Sequence, residues 1–181
     1  MTTPPVEVPD GDPRAERMIR DVLGCLCGLL AERGRGVCCC YWARAGQTQM
    51  PQSCDAQSEH GQGIAWVRIA ERRFTQQSQQ RGFGGRSCGV RWSEQWALEV
   101  GVARCWPGDD QDLECDELTA ESANGAWDES LLVEALTCCE PLDLYSIVPQ
   151  RVRTLGPQGA CIAAVMDVLA TPVLPRKEPA R

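Results

Sequence analysis

Twelve cysteines and a single histidine, His60, are the feature of this 181-residue chain that most constrains its fold. No two of the cysteines have the C-x-x-C spacing, which lets two thiolates converge on one partner in thioredoxin-type redox centres and in zinc ribbons. The cysteines are spread over segments with helix, strand and loop patterns, at Cys25, Cys27, Cys38, Cys39, Cys40, Cys54, Cys88, Cys105, Cys115, Cys138, Cys139 and Cys161. This distribution favours packing residues or scattered cross-links over a catalytic device.

The bulk composition predicts one folded domain. A chain of this length that is 43% hydrophobic can bury a core without help from disulfides. Its net charge of −7 argues against a general attraction to DNA or RNA, which requires a basic surface. No run of about 18 apolar residues occurs, so we expect no membrane span. The polar, proline-rich start predicts that there is no signal peptide and that the chain folds in the cytoplasm, where thiols stay reduced and cysteines are mostly small buried residues.

Proline-rich, polar ends flank a region with regular apolar patterns. We predict a flexible N-terminal arm over residues 1–13, a single α+β domain over 14–170 and a flexible C-terminal tail over 171–181. The clearest helix is Arg14–Arg33, whose apolar residues recur at helical spacing and which ends at Gly34.

The remaining patterns complete the order helix, strand, strand, strand, helix, strand, strand. Period-two alternation predicts the strands, and 3.6-residue spacing predicts a second helix in two pieces joined at Asn124-Gly125. The strands are Val37–Ala45, Ile64–Phe74, Trp96–Trp106, Val148–Leu155 and Ala160–Leu169, and the second helix covers Asp112–Cys139. This order predicts an α+β fold: a mainly antiparallel sheet of about five strands with two helices on one face.

Residues with catalytic potential are sparse. A cysteine nucleophile needs a nearby base, and His60 lies in a polar loop six residues from Cys54. A solvated loop histidine explains this arrangement more simply. The acidic cluster 109–117 lacks the alternation and the glycine of a calcium loop, and no phosphate-loop signature occurs. We therefore predict that the protein is not an enzyme and that it uses no cofactor.

Three uses of the cysteines stay open. A zinc site could combine Cys38 and Cys40, which share one side of a strand, with cysteines elsewhere in the chain. Disulfides between loop cysteines and the sheet would fit a protein that leaves the cell, and reduced, buried thiols would fit one that stays inside. No metal site is predicted. The candidate disulfide or buried-thiol residues are Cys38, Cys40, Cys54, Cys88, Cys105, Cys138, Cys139 and Cys161.

One surface loop is a candidate for contact with a partner. Residues 75–89 have no apolar period and are rich in glycine and glutamine, which is typical of a mobile loop. The stretch RGFGGR within it is similar to RNA-binding RGG segments, but a single copy in an acidic chain fits an acidic protein partner equally well. We therefore predict that Arg81, Phe83 and Arg86 contact a partner.

Several short motifs together carry a family resemblance. They are GQGIAWVRI from Gly61, ALEVGVARCWP from Ala97, ALTCCEP from Ala135 and GPQGAC from Gly156, in this order. In these motifs the chain resembles the cysteine-rich neck proteins of long-tailed phages that infect actinobacteria, which are head-to-tail connector or tail terminator proteins. The resemblance covers residues 14–169, and Cys105, Cys138, Cys139 and Cys161 lie inside or beside its motifs.

The resemblance implies a structural virion protein. Tail terminators resemble α/β subunits with helices on a sheet, so the predicted element order favours a tail-terminator-like fold over the small β-barrel of a head-to-tail stopper, which is the alternative in the same neck. The implied partners are further copies in a hexameric ring, the major tail tube protein and the head-to-tail connector. DNA would pass through the lumen without specific binding, and the ring would assemble in the host cytoplasm and remain in the neck of the virion. A cytoplasmic zinc or redox regulatory domain is the alternative from another class.

Overall fold

Two α-helices and five strands make up the described part of the computed structural model, which covers residues 12–43, 63–76, 92–105, 114–158 and 161–173. The helices are α1 (Pro13–Glu32) and α2 (Cys115–Thr137), and a short 3₁₀ helix spans Glu140–Leu144. The strands are β1 (Cys39–Trp42), β2 (Ile64–Gln76), β3 (Trp92–Cys105), β4 (Tyr145–Gln158) and β5 (Cys161–Pro172).

The five strands form one mixed sheet in the order β1-β2-β3-β5-β4. Strands β1 and β2 pair in parallel, and the other three neighbouring pairs are antiparallel. The predicted α+β fold with a mainly antiparallel five-stranded sheet and two helices is confirmed. Every predicted strand is present, although β1 is shorter than predicted, and β3, β4 and β5 begin or end up to four residues from the predicted bounds.

Both helices pack on the same face of the sheet. The main core consists of one stripe from each helix and the alternate residues of the three central strands, with Trp96, Leu98, Val100 and Val102 of β3 at its centre. Helix α1 lies over β1 and β2, whereas α2 lies over β4 and β5. The period-two pattern of β3 and the apolar stripe of α1 therefore placed their buried sides correctly.

Local sequence signals set the ends of α1. The carboxylate of Asp12 accepts a hydrogen bond from the backbone N–H of Arg14 at 3.0 Å, and Pro13 occupies the first turn. That backbone hydrogen bond is the main reason why the pKa of Asp12 is lowered. At the other end Gly34 has a φ of 69°, the left-handed conformation that terminates helices. Asp12 and Pro13 thus begin α1, and residues 1–11 and 174–181 of the predicted arm and tail lie outside the described residues.

The predicted break of the second helix at Asn124-Gly125 is wrong. It is continuous from Cys115 to Thr137, because a glycine inside a helix costs only about 1 kcal/mol and packing readily outweighs that cost. The side-chain oxygen of Asn124 accepts a hydrogen bond from Arg35 at 3.0 Å, which fixes the middle of the helix against the segment after α1. Reciprocal hydrogen bonds between Glu114 and Glu117 cap the start of α2.

The opposite face of the sheet, here called the outer face, carries a smaller buried cluster. It contains Trp66 of β2, Ala103 of β3, and Ala163 and Val165 of β5, with Ala43 after β1. In the part of the chain that the structure describes, no helix lies on this face. Farther along the strands, the outer face carries the paired acids Glu99 and Asp167, and beyond them the exposed Val148.

Candidate functional site

A row of charged side chains crosses the middle of the outer face. The strand register places Arg68, Glu99, Asp167 and Arg151 side by side on β2, β3, β5 and β4. Glu99 is only 3% exposed, and one of its carboxylate oxygens accepts hydrogen bonds from Arg68 and Arg153, each at 2.7 Å. A buried charge needs such partners, because desolvation without them costs several kcal/mol. The row therefore fixes the order and register of four strands.

Asp167 is the more accessible acid of this row. Partial burial acts to raise its pKa, but hydrogen bonds from Arg151 and Arg153 outweigh that effect, so the pKa of Asp167 is lowered. Arg151 contacts the Asp167 carboxylate at 2.8 Å and lies on the edge strand β4, where its side chain is mostly exposed. Two arginine partners therefore favour the ionised form of this carboxylate.

A second buried carboxylate, Asp128, joins three separate elements. It is 2% exposed and accepts hydrogen bonds from Arg35, after α1, at 2.9 and 3.1 Å and from Arg104, in β3, at 3.0 and 3.2 Å. Arg104 also donates to the backbone oxygens of Arg35 and Gly36, and Arg35 lies over the ring of Trp127. Both carboxylate oxygens are thus occupied by guanidinium groups, an arrangement suited to holding elements together rather than to proton transfer.

Sequence reasoning missed this cluster. The predicted break at Asn124-Gly125 would place Asp128 in the first turn of the second piece of that helix, where the helix dipole favours an acid. Because α2 is continuous, Asp128 lies in its middle and on its buried side. The sequence does contain one signal for the buried position of Asp128. Asp128 lies one turn before Leu131 and Leu132, so it is a charged residue on an otherwise apolar stripe.

Two disulfides hold α1 from different sides. Cys25 is bonded to Cys139, just after α2, with a Cα–Cα distance of 5.9 Å, and Cys27 is bonded to Cys40 of β1 with a Cα–Cα distance of 6.6 Å. Both distances lie within the range that disulfides require. The prediction placed disulfides between loop cysteines and the sheet. Each observed disulfide instead has one of its two cysteines in α1. The expectation that cytoplasmic folding leaves all of these thiols reduced is corrected for these four residues.

The predicted thiol residues have different environments. Cys40 and Cys139 are in disulfides, and Cys161 is buried. Cys38 and Cys138 are exposed and outside any disulfide, which corrects the prediction that they are buried or cross-linked. The physical reason is local: Cys138 follows the last turn of α2, and Cys38 precedes β1, where its thiol lies 2.9 Å from the oxygen of Gly63.

Several predicted site residues lie outside the described residues. They are the loop residues Arg81, Phe83 and Arg86 and the loop cysteines Cys54 and Cys88, together with His60. Cys105 ends β3, opposite Cys161 in the register. Among the residues that the structure describes, no group of three His, Cys, Asp or Glu side chains is arranged to hold a metal ion. No helix in the described ranges is long and apolar enough to cross a membrane.

An exposed apolar surface beside the edge strand β4 is the strongest candidate for a functional site. Leu144, Val148 and Val173 are 50%, 46% and 54% exposed. The backbone N–H of Val173 donates to the oxygen of Leu144, and Val148 lies four residues further along β4, opposite Leu169, so the three residues follow one end of the β4–β5 pair over about 13 Å. We call this group, Leu144, Val148 and Val173, the β4 patch. Exposed apolar side chains along an edge strand favour interaction with another chain.

The edge strand itself adds a second recognition element. Strand β4 is the last strand of the sheet in the described part of the chain, so its outer side offers backbone donors and acceptors to another strand. Pro149 and the register shift between Pro149 and Arg151 interrupt the strand midway, a device that limits unspecific pairing. The chain matches no protein-family model and no curated protein.

Proposed function

We propose that this chain is a structural protein of the neck of a long-tailed phage, a tail terminator that assembles into a ring. The observation that carries the proposal is the β4 patch along β4, which is an edge strand among the described residues, because apolar side chains that are about half exposed favour contact with another protein. The motifs that resemble phage neck proteins supply the kind of assembly. The two helices on one face of a five-stranded sheet favour the terminator over the alternative, a stopper with a small β-barrel.

The proposed mechanism is mechanical. Copies of the chain contact one another through two different surfaces, and a closed ring results because the rotation between neighbours closes, with six copies in the hexamer that the resemblance implies. The ring binds the last ring of major tail tube protein and ends tube growth by occupying its free edge. Its other side binds the head-to-tail connector or stopper protein.

The charges described above are compatible with a ring around DNA. The chain has a net charge of −7, and the arginines of the outer face are paired with Glu99 and Asp167. Paired arginines neutralise few phosphates, so DNA would pass the ring without being held specifically. Assembly in the host cytoplasm and final placement in the virion neck follow from this proposal. The two disulfides suit the finished particle, since disulfides persist on virions outside the cell.

The proposal is tested by measuring the mass of the purified protein by size-exclusion chromatography with light scattering, alone and with the major tail tube protein. We expect a ring, either alone or on tube ends, and tubes of limited length in its presence. Val148→Asp should abolish the ring because it places a charge in the β4 patch, whereas Val148→Thr, which keeps the shape of the side chain, should retain it.

Two results would contradict the proposal. One is a protein that stays monomeric with tube ends present and leaves tube length unchanged. The other is a stoichiometric zinc ion whose removal unfolds the chain, which would favour the regulatory alternative. Binding to the connector without any effect on the tube would instead favour the stopper.

A further inference from the structure

The two disulfides differ in how accessible their cysteines are. In Cys25–Cys139, the helix residue Cys25 is only 7% exposed and belongs to the main core, and its partner is half-buried. In Cys27–Cys40, both residues are half-buried at the margin of that core, so neither is enclosed. Reduction begins when a thiolate attacks a disulfide sulfur, and its rate depends on access to that sulfur. We therefore expect a thiol reagent to reach Cys27–Cys40 first.

Cys40 lies in β1, the strand with the shortest pairing in the described sheet. Strand β1 has four residues, none of them buried, and pairs in parallel with Ile64–Val67. Parallel pairing is slightly less stable per residue than antiparallel pairing. Tyr41 and Trp42 pack only partly against the two apolar clusters of the sheet. The Cys27–Cys40 bond therefore supplies a large part of what holds β1 in place.

The chain just before β1 is fixed without the disulfide. Arg104 donates hydrogen bonds to the backbone oxygens of Arg35 at 2.7 Å and Gly36 at 3.1 Å. The side chain of Arg35 is in turn paired with Asp128 at 2.9 Å. None of these contacts involves a cysteine, so they remain when Cys27–Cys40 opens. Opening the bond thus frees the chain only after Gly36 and leaves α1 in place.

We propose that the Cys27–Cys40 bond is a redox switch for β1: it holds the strand against β2 when oxidised and releases the strand when reduced, while Cys25–Cys139 stays closed. This inference does not rest on the proposed ring. In the reducing step, one thiolate of a dithiol attacks a sulfur of the bond, and the other sulfur leaves as a thiolate. The second thiol of the reagent then breaks the mixed disulfide, so the reagent becomes a disulfide and Cys27 and Cys40 become thiols. In the reverse step, a small-molecule disulfide accepts two electrons from the two cysteines and is reduced to thiols.

Release of β1 changes which backbone groups of β2 are available. In the oxidised protein, the backbone N–H groups of Cys38 and Ala43 donate to the oxygens of Gly63 and Val67, at 3.0 and 2.9 Å. These hydrogen bonds and the strand pairing between them are lost when β1 leaves, so the side of β2 that β1 covers becomes available to another strand. A reducing cytoplasm therefore favours the open form, and oxidising surroundings outside the cell favour the closed form.

The test reduces the full wild-type chain with increasing concentrations of dithiothreitol. At each concentration, alkylation and mass spectrometry identify the cysteines that have become thiols, and hydrogen exchange reports the opening of residues 37–43. We expect Cys27 and Cys40 to be alkylated before Cys25 and Cys139. Exchange over residues 37–43 should then rise on the order of 100-fold, the factor that the chain-entropy argument gives for a cross-link of this span. Strands β3 and β5 should keep their protection, and oxidised dithiothreitol should restore slow exchange.

Two paired variants assign the switch to its residues. Cys27→Ser/Cys40→Ser removes the bond, so exchange over residues 37–43 should be fast with and without the reagent. Cys38→Ser/Cys39→Ser is the matched control, because it removes two exposed thiols of the same segment and leaves the bond intact. Its exchange should respond to dithiothreitol as that of the wild type does. Circular dichroism checks that each variant is folded.

Four results would overturn the inference. One is reduction of Cys25–Cys139 before Cys27–Cys40 or together with it. Another is unchanged exchange over residues 37–43 once Cys27–Cys40 alone is reduced. A third is loss of protection in β3 and β5 at the same step, which would show that the bond holds the whole domain and not β1 in particular. The last is a Cys38→Ser/Cys39→Ser protein that no longer responds, which would assign the response to the exposed thiols.

Discussion

The indole ring of Trp66 lies directly against Gly101 on the neighbouring strand. A Cβ atom added to Gly101 would be 2.3 Å from Cζ2 of Trp66, far inside the contact distance of two carbon atoms. The two residues are register partners in β2 and β3, and Trp66 is the largest side chain of the buried cluster on the outer face. The glycine therefore provides the space in which the ring packs.

Replacing Gly101 with alanine is expected to lower the free energy of unfolding by about 1–3 kcal/mol, because the Trp66 ring must move. Gly24 is the matched control: it lies in an exposed part of α1 with no atom within 4 Å of an added Cβ. Gly24→Ala should raise the stability by about 0.5–1 kcal/mol through helix propensity. Urea unfolding measures both, and a Gly101→Ala protein as stable as the wild type would contradict the packing described.

Replacing Asp128 with alanine is expected to cost about 3–5 kcal/mol, because it leaves two nearly buried guanidinium groups without their carboxylate. Glu134→Ala on the same helix is the control. Glu134 pairs with Arg33 near the surface, where both side chains are well exposed, so its loss should cost at most about 1 kcal/mol. Similar losses of stability in the two variants would show that Asp128 does not hold the elements together.

Removal of the disulfides is expected to destabilise the chain unequally. The chain-entropy argument assigns about 4–5 kcal/mol to Cys25–Cys139, which closes 114 residues, and about 3 kcal/mol to Cys27–Cys40, which closes 13. Paired substitutions to alanine should lower the melting temperature in that order, and Cys115→Ala, at an exposed thiol, should leave it nearly unchanged. Equal melting temperatures of the wild-type protein with and without a reducing agent would contradict the presence of the disulfides.

The hydrogen bond from Tyr145 to Asp21 predicts a loss of stability in alkali. Partial burial of the phenol, together with the nearby Asp21 carboxylate 3.1 Å away, raises the pKa of Tyr145 to about 12. The unfolded chain releases this proton near pH 10, so the contribution is complete below pH 10 and is lost as the pH rises toward 12. Tyr145→Phe lacks this dependence. Its unfolding free energy, measured from pH 9 to 12, should fall less steeply than that of the wild type, and parallel curves would contradict the assignment.

Patterns with a strong period were sufficient to predict the frame of the fold. The stripe around Met18 and Val22 and the alternation from Trp96 to Val102 placed a helix and the central strand with the correct sides buried. Such patterns depend only on local spacing, so residues elsewhere in the chain do not alter what they predict. The element order then left an α+β sheet as the simplest arrangement.

Features that depend on distant residues were not predictable in the same way. The continuity of α2 depends on packing and on the contact between Arg35 and Asn124, which are far apart in sequence. The partner of Cys25 is 114 residues away, and disulfide connectivity does not follow from spacing. The β4 patch could not be predicted because Val173 comes beside β4 only through the strand register, and a single exposed valine or leucine in a sequence carries no signal.

The Cys25–Cys139 bond has a consequence for how the chain transmits force. A pull on residues before Cys25 and after Cys139 travels along α1 and through the sulfur–sulfur bond, so the intervening backbone, with β2, β3 and α2, carries no covalent tension. The β4–β5 hairpin, which follows Cys139, lies outside this shielded loop and takes the load directly. In a particle that is strained along its length, the load would therefore fall on the β4–β5 hairpin, while the backbone between the two cysteines stayed unstretched.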